Sequence, residues 1–143
     1  MDGSHAITPA DRLDARAAEA EGLSGEGLLD LAIRQHFRGR VAAVSSFGAE
    51  AALLLDMIAR VDPTTPVIFL ETGKHFPETL RYRDRLIAKL GLTGVRNERP
   101  EESDRQRSDP DGHLWSRSPD ACCGLRKVRP LERALAGFDA WIT

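Results

Sequence analysis

Short, uninterrupted apolar runs alternate along the chain with longer stretches of helical periodicity. Val41 to Ser45 and Val67 to Leu70 are such runs. Gly39-Arg40 precedes the first and Phe47-Gly48 follows it, while Asp62-Pro63-Thr64-Thr65-Pro66 supplies turn chemistry before the second. Between them, Ala49 to Val61 resumes helical spacing, with Ala52, Leu55, Met57 and Ile58 as inward-facing positions. After the loop Glu71 to Phe76, Pro77 suits a first helical position. The helix it opens carries Leu80, Tyr82, Leu86, Ile87 and Leu90, and Gly91 stops it. Val95 lies in a third, weaker strand. Strand, helix, strand, helix, strand predicts an α/β fold, a parallel sheet with right-handed crossovers. Continuous rather than alternating apolar strands predict helices on both faces of that sheet.

The flanks differ. Met1 to Thr8 reads as a frayed leader, and Pro9 to Glu21 as a short Ala-rich helix with a weak stripe of Leu13, Ala17 and Ala20. Ser24 caps a second helix, in which Leu28, Leu29, Ala32, Ile33 and Phe37 share a face before Gly39 ends it. Glu98 to Asp120 is polar, with Leu114 and Trp115 its main apolar anchors; this length without periodicity predicts a mobile functional loop or a disordered excursion. Helical spacing returns from Cys122 to about Leu135, and Phe138 to Thr143 opens another strand. The division expected is a helical segment over 1–40 and an α/β nucleotide-binding domain over 41–143.

Composition narrows the function classes. At 143 residues and 41% hydrophobic content the chain suits one domain. With 20 Lys+Arg against 22 Asp+Glu, it lacks the positive excess that sequence-blind nucleic-acid binding requires. Its apolar stretches fall far short of the roughly 20 residues that span a bilayer, so no membrane partner is expected. No basic leader followed by an apolar segment marks secretion. The two cysteines, Cys122 and Cys123, are adjacent, so a disulfide between them would be strained and close almost no loop. A reducing cytoplasm is the expected compartment. The oligomeric state is not legible.

Three places carry candidate chemistry. Ser45-Ser46-Phe47-Gly48-Ala49-Glu50 lies where a strand meets a helix, and ligands of open parallel sheets bind beyond the carboxyl ends of strands. Two readings of this loop stand level: an anion cradle at a helix N-terminus, or a tight turn capped by Ser45 or Ser46. Glu71-Thr72-Gly73-Lys74-His75 ends the next strand, where Lys74 is a candidate to neutralise an anion. Glu78, Arg81, Arg83, Asp84 and Arg85 read as a salt-bridged helix face. In Cys122-Cys123-Gly124-Leu125-Arg126-Lys127, helical spacing sets Arg126 one turn beyond Cys122 and Lys127 one turn beyond Cys123. Cations beside thiols favour thiolate, which ligates metals and attacks electrophiles, although a lone cysteine is often just a small buried hydrophobe. A cubane cluster needs four thiolates, and this chain has two.

Taken together, these residues resemble the assimilatory sulfonucleotide reductases. Four blocks match in order: SSFGAE (Ser45–Glu50), FLETGKHFPET (Phe69–Thr79), the RYRDRL helix (Arg81–Leu86) and CCGLRKVRPL (Cys122–Leu131). FDAWIT resembles the DAWITG strand of that family, cut before its Gly. The resemblance implies the adenine-nucleotide α-hydrolase-like, PP-loop-like three-layer fold. It implies that Ser45, Ser46, Phe47, Gly48, Ala49 and Glu50 cradle the phosphosulfate, with Leu70, Glu71, Thr72 and Gly73 near the adenosine. Glu71 stands where the family usually has Asp. Cys122 and Cys123 match the vicinal pair of the branch that carries a [4Fe–4S] cluster and prefers adenylyl sulfate, and would supply two of its four ligands. Lys127 matches the lysine between cluster and substrate sulfate, and Arg126 its neighbour; both would support catalysis rather than react.

The implied reaction is reduction of adenylyl sulfate to sulfite and AMP. A C-terminal cysteine thiolate attacks the substrate sulfur, AMP leaves, and thioredoxin then releases sulfite from the enzyme thiosulfonate. The second cysteine pair and that catalytic cysteine have no counterpart among these 143 residues. The expectation is therefore a truncated chain that does not turn over alone. Three alternatives stand beside this reading. A reductase of the 3′-phosphorylated substrate generally lacks the vicinal pair. An ATP-cleaving PP-loop enzyme resembles SGGxDS rather than SSFGAE. A non-catalytic adenine-nucleotide-binding module would bind nucleotide and never hold a cluster.

Overall fold

The computed structural model describes residues 8–143. The leader expected over Met1 to Thr8 lies outside the described residues except for Thr8, which forms a capping box with Asp11 at the start of α1 (Pro9–Ala20). That helix buries none of its residues, and Leu13 is 63% exposed, so the expected apolar stripe does not dock. Polar edges attach it instead: Arg16 lies over the Phe37 ring at 4.8 Å, and Glu19 meets His36 at 2.7 Å. Ser24 caps α2 (Gly25–Asp30) by accepting the Gly27 N–H. The helix continues as a π-helical turn, Leu31–His36, and Leu29 and Ile33 reach the core.

Four strands follow in the order β3-β2-β1-β4, all parallel: β1 (Val41–Val44), β2 (Val67–Leu70), β3 (Val95–Glu98) and β4 (Ala140–Ile142). Ala43 registers with Val67 on one side and Ile142 on the other. Val41, Ala42, Ala43, Val67, Ile68 and Phe69 are all buried, as a sheet covered on both faces requires. Helices α3 (Ala51–Val61) and α4 (Pro77–Leu90) form the crossovers and touch each other. Leu55 and Ile58 of α3 and Leu86 of α4 point into the core. Right-handed crossovers put these two helices on one face. The return from β3 to β4 places α8 (Arg129–Leu135) against β2 and β3 from the other.

Gly94, at the mouth of β3, has no room for a side chain. A Cβ there would lie 2.5 Å from the carbonyl oxygens of both Thr64 and Thr65, and the Gly94 carbonyl itself accepts the Val67 N–H. Gly94→Ala is therefore expected to destabilise the chain by about 1–3 kcal/mol, because backbone rather than a rotatable side chain must yield. Urea unfolding checks this, and a variant as stable as wild type would contradict it.

The segment between β3 and β4 is ordered, contrary to the mobile loop expected from its composition. It folds into α5 (Glu102–Ser108), α6 (Leu114–Arg117) and α7 (Pro119–Cys123), which runs through a π-helical turn, Gly124–Val128, into α8. Ion pairs take the place of apolar periodicity: Arg105 with Glu102, Arg117 with Asp111, Arg129 with Asp104, and Arg126 with Asp109.

Candidate functional site

The carboxyl ends of the strands carry the residues singled out above. Beyond β1, the Ser45 hydroxyl accepts the Phe47 N–H at 3.1 Å and the Ser46 hydroxyl accepts the Gly48 N–H at 3.4 Å. The serines thus shape the turn, as the second of the two level readings held, yet cap the loop rather than the helix. Each keeps its own O–H to donate elsewhere. Phe47 sits at φ 56°, the left-handed region that a bulky residue rarely adopts. Burial of its ring holds it there, edge-on to Phe69 at 5.6 Å. No side chain caps α3, whose N-terminus follows Glu50. Ser45, Ser46, Glu50 and Thr143 line a cavity of about 260 Å³ between the ends of β1 and β4. This is where the strand order reverses direction, the usual ligand crevice of a doubly wound sheet.

Beyond β2, the loop is held from within. Glu71 accepts the Gly73 N–H at 3.1 Å and faces the Arg83 guanidinium at 3.6 Å. Arg83 also covers the Phe69 ring at 4.8 Å and donates to Asn97, so it is a strut of the loop as well as a partner of Asp84. Arg81 and Glu78 do form the surface pair expected of this helix. Thr72 accepts the Lys74 N–H, and Gly73 takes φ 71°. Lys74 is not a free cation: its ammonium donates to the Gly112 carbonyl at 2.6 Å and ties this loop to the segment before α6. His75 packs on Phe69, with Nε2 2.9 Å from the Leu70 carbonyl.

The cysteine turn faces this loop. Cys122 is buried and Cys123 exposed. One turn on, Arg126 is buried and Lys127 exposed, so the helical pairing read from spacing holds through the π-helical turn. Thr72, Trp115, Cys122, Cys123, Arg126 and Lys127 line one cavity of about 500 Å³, with Lys74 and His75 at its wall. The structure therefore brings Thr72 together with the thiol pair and both cations, and sets Ser45, Ser46 and Glu50 around a separate cavity of the same sheet edge, which Phe47, Gly48 and Ala49 do not line. Leu70 stays a half-buried strand residue, while Glu71 and Gly73 line a third cavity of about 320 Å³ beside Arg99, Arg105 and Arg126. Among the described residues no group of three or more His, Cys, Asp or Glu is gathered for a metal. The donor set present is two thiols on one helix, half of what a cubane takes.

Asp109 escaped sequence reading altogether. It is fully buried, at 0% exposure, and its carboxylate accepts from Arg126 Nη2 and, at 2.8 Å, from the Leu114 N–H. Arg126 Nη1 donates to the Thr72 carbonyl at 2.6 Å, so the guanidinium bridges the cysteine turn, the β2 loop and the α5–α6 turn. The signal available was Asp109-Pro110-Asp111-Gly112, a turn sequence in which an Asp side chain often takes a local N–H. Burial pushes the Asp109 carboxyl up, but the Arg126 bond, the Leu114 N–H and the nearby cations outweigh it and hold the group below the ordinary Asp value. A depressed native value means that this charge stabilises the fold fully above the unfolded value near 4 and progressively less as pH falls below it. The stability difference between wild type and Asp109→Asn is accordingly expected to be constant from pH 7 to 5 and to shrink below about pH 4. Urea melts across that range check it; a difference growing towards acid would contradict it.

Comparison with known proteins agrees with this geometry. Residues 40–143 match the family described as the phosphoadenosine phosphosulfate reductase domain. The chain is 50% identical over 137 residues to the adenosine 5′-phosphosulfate reductase of Mesorhizobium japonicum, covering 93% of this chain and 54% of that protein. It is 42% identical over 131 residues to the phosphoadenosine 5′-phosphosulfate reductase of Gloeobacter violaceus, covering 91% and 54%. The chain thus spans about half the length of the curated relatives it matches. Its fold superposes on the crystal structure of phosphoadenylyl-sulfate reductase from Candida auris in a phosphate complex, with a TM-score of 0.75 at 25% identity, covering 97% of this chain and 68% of the other. The parallel sheet and this likeness in sequence place the chain in the phosphoadenosine phosphosulfate reductase domain family.

Proposed function

We propose that this chain forms the nucleotide-binding part of a cytoplasmic, thioredoxin-dependent reductase that converts adenylyl sulfate to sulfite and AMP. The observation that carries this reading is the shared cavity in which Cys122, Cys123 and Lys127 face the Thr72 end of β2. A sulfonucleotide is an anionic mixed anhydride, so it suits an open helix N-terminus with hydroxyl donors and an ammonium in the second cavity of the same edge. On this reading the Ser45 and Ser46 hydroxyls and the start of α3 bind the phosphosulfate. Glu71, Thr72 and Gly73 shape the wall beside the adenosine. Lys127, exposed on the cysteine turn, stabilises the charge that develops as AMP departs. Arg126 acts through the loop that it braces, since both of its terminal nitrogens are engaged.

Cys122 and Cys123 would hold two corners of a [4Fe–4S] cluster, and the attacking cysteine is not one of them. Bound there, the cluster would tie its cysteine ligands to one point and add a polarisable charge centre beside the Lys127 cavity. The thiol pair favours adenylyl sulfate. The likeness to reductases named for the 3′-phosphorylated form makes that compound the competing substrate.

Calorimetric titration of the chain with adenylyl sulfate, its 3′-phosphorylated form and AMP tests the reading. Adenylyl sulfate is expected to bind more tightly than AMP, and Lys127→Ala to weaken adenylyl sulfate roughly tenfold, the size of a lost charge-assisted contact. No binding of any of the three at millimolar concentration would overturn it.

A further inference from the structure

Asp109 is a buried charge that the reading above leaves without a role. It lies in the polar segment between β3 and the cysteine turn, at the C-terminal cap of α5. Its carboxylate is the node of a three-way junction. One oxygen accepts the Leu114 N–H and so starts α6; the other accepts from Arg126 on the cysteine turn. Arg126 passes the connection on to the Thr72 carbonyl in the β2 loop. Lys74 closes the junction from the same loop by donating to the Gly112 carbonyl, three residues beyond Asp109. Cys123, Lys127 and Trp115, three of the exposed members of the cavity, stand on the helical pieces that this junction joins to the sheet.

A surface pair would not do this. The Arg126 and Asp109 side chains are 6% and 0% exposed, and Arg126 Nε is buried with no hydrogen-bond partner among the described residues. A buried pair is costly to desolvate and is a poor device for stability alone. What a forked guanidinium between a carboxylate and a carbonyl supplies is fixed geometry. Gly73 belongs to the same arrangement: a Cβ there would lie 3.4 Å from Arg126 Nη1, so the loop passes closely over the guanidinium.

We propose that Asp109 is a positioning residue for the sulfonate end of the nucleotide: by holding Arg126 against the Thr72 carbonyl, it fixes the Cys122–Lys127 turn relative to the β2 loop. This rests on the nucleotide reading of the cavity proposed above. Asp109 touches neither thiol nor substrate, and it acts through Arg126.

The test is a pair of titrations, adenylyl sulfate against AMP, on wild type and two variants of the chain. Asp109→Asn keeps the shape and an acceptor for Leu114 but removes the charge that orients Arg126. It is expected to raise the Kd for adenylyl sulfate roughly tenfold while changing that for AMP by less than about twofold, because the β2 loop beside the adenosine keeps its own bonds, Gly73 N–H to Glu71 and Lys74 N–H to Thr72. Partial unfolding would raise both by the same factor, so the split separates positioning from damage. Should Asp109→Asn leave too little folded protein, Asp109→Asn/Arg126→Gln removes both charges and with them the unpaired buried guanidinium. That variant is expected to fold and to show the same split. Equal changes for the two ligands in a folded variant, or none, would overturn the positioning role while leaving the nucleotide reading intact. Failure of the wild-type chain to bind either ligand would remove both.

Discussion

Phe69→Ala is expected to lower the unfolding free energy by about 3–5 kcal/mol, the range for removing a buried aromatic ring from a core. Phe69 is 0% exposed at the centre of β2, the strand between β1 and β3. Three groups rest on its ring: Phe47 edge-on at 5.6 Å, His75 at 4.9 Å and the Arg83 guanidinium at 4.8 Å. Each belongs to a different piece of the ligand edge, namely the loop after β1, the loop after β2, and α4. The cavity left by alanine would therefore open beneath both loops, and neither backbone can collapse into it without abandoning its turn hydrogen bonds. Domains of this size are stable by about 5–15 kcal/mol, so the loss is a large fraction of the total. A fall in Tm of roughly 6–20 °C is expected, since each kcal/mol shifts a domain of this length by about 2–4 °C. Nucleotide binding should weaken with it, because Phe47 holds its left-handed conformation only while its ring is packed. Urea unfolding decides the matter: a loss below about 1 kcal/mol would mean that the ring is not the keystone of this edge.

Arg126→Gln is the second large effect, and it differs in kind. The glutamine is too short to span from the cysteine turn to both Thr72 and Asp109, so it strands a fully buried carboxylate. Breaking a buried pair by removing one partner costs about 3–5 kcal/mol, chiefly because the remaining charge stays out of water. Arg126→Lys is expected to recover only part of this, since one ammonium cannot reproduce a fork aimed at two acceptors. The diagnostic is pH. Asp109 in Arg126→Gln loses the main cation that opposes its burial and keeps only the Leu114 N–H and Lys74, so its carboxyl should titrate above the ordinary Asp value instead of below it. A raised native value means that the ionised group destabilises, so Arg126→Gln should become more stable, relative to wild type, as pH falls from 7 towards 4. A deficit that stays the same across that interval would contradict the assignment of Arg126 as the counter-ion.

Much of the frame was legible in local pattern because the forces that set it are local. Val67 to Leu70 is strand in the structure over the range read from its apolar run, and Pro77 and Gly91 bound α4 as their backbone preferences require. Gly91 takes φ 67°, a conformation in which glycine bears no steric penalty. The parallel sheet followed from the alternation of these elements, and the placement of SSFGAE and of Glu71-Thr72-Gly73 at strand ends followed from the sheet. The pairing of Cys122 with Arg126 and of Cys123 with Lys127 came from helical spacing, and the structure adds that the first pair is buried and the second exposed. Likeness to the family rests on the same ordered blocks, and residues 40–143 bear it out.

Tertiary structure decided what polar side chains do, because their partners are distant in sequence. Arg83 reads as part of a salt-bridged helix face and does pair with Asp84, yet its guanidinium also lies over Phe69 beside Glu71, twelve positions earlier. Lys74 reads as a candidate to neutralise an anion and is also a strut to Gly112, thirty-eight residues on. The segment from Glu98 to Asp120 has the composition of a mobile loop, since it lacks the apolar periodicity that announces a docked helix. Its order comes instead from charge pairs and one buried carboxylate whose partner, Arg126, lies seventeen residues further along. Hydrophobic burial repeats with the period of the element and so is written along the chain. A hydrogen-bonded charge pair leaves no period, and only the folded arrangement shows which carboxylate meets which guanidinium.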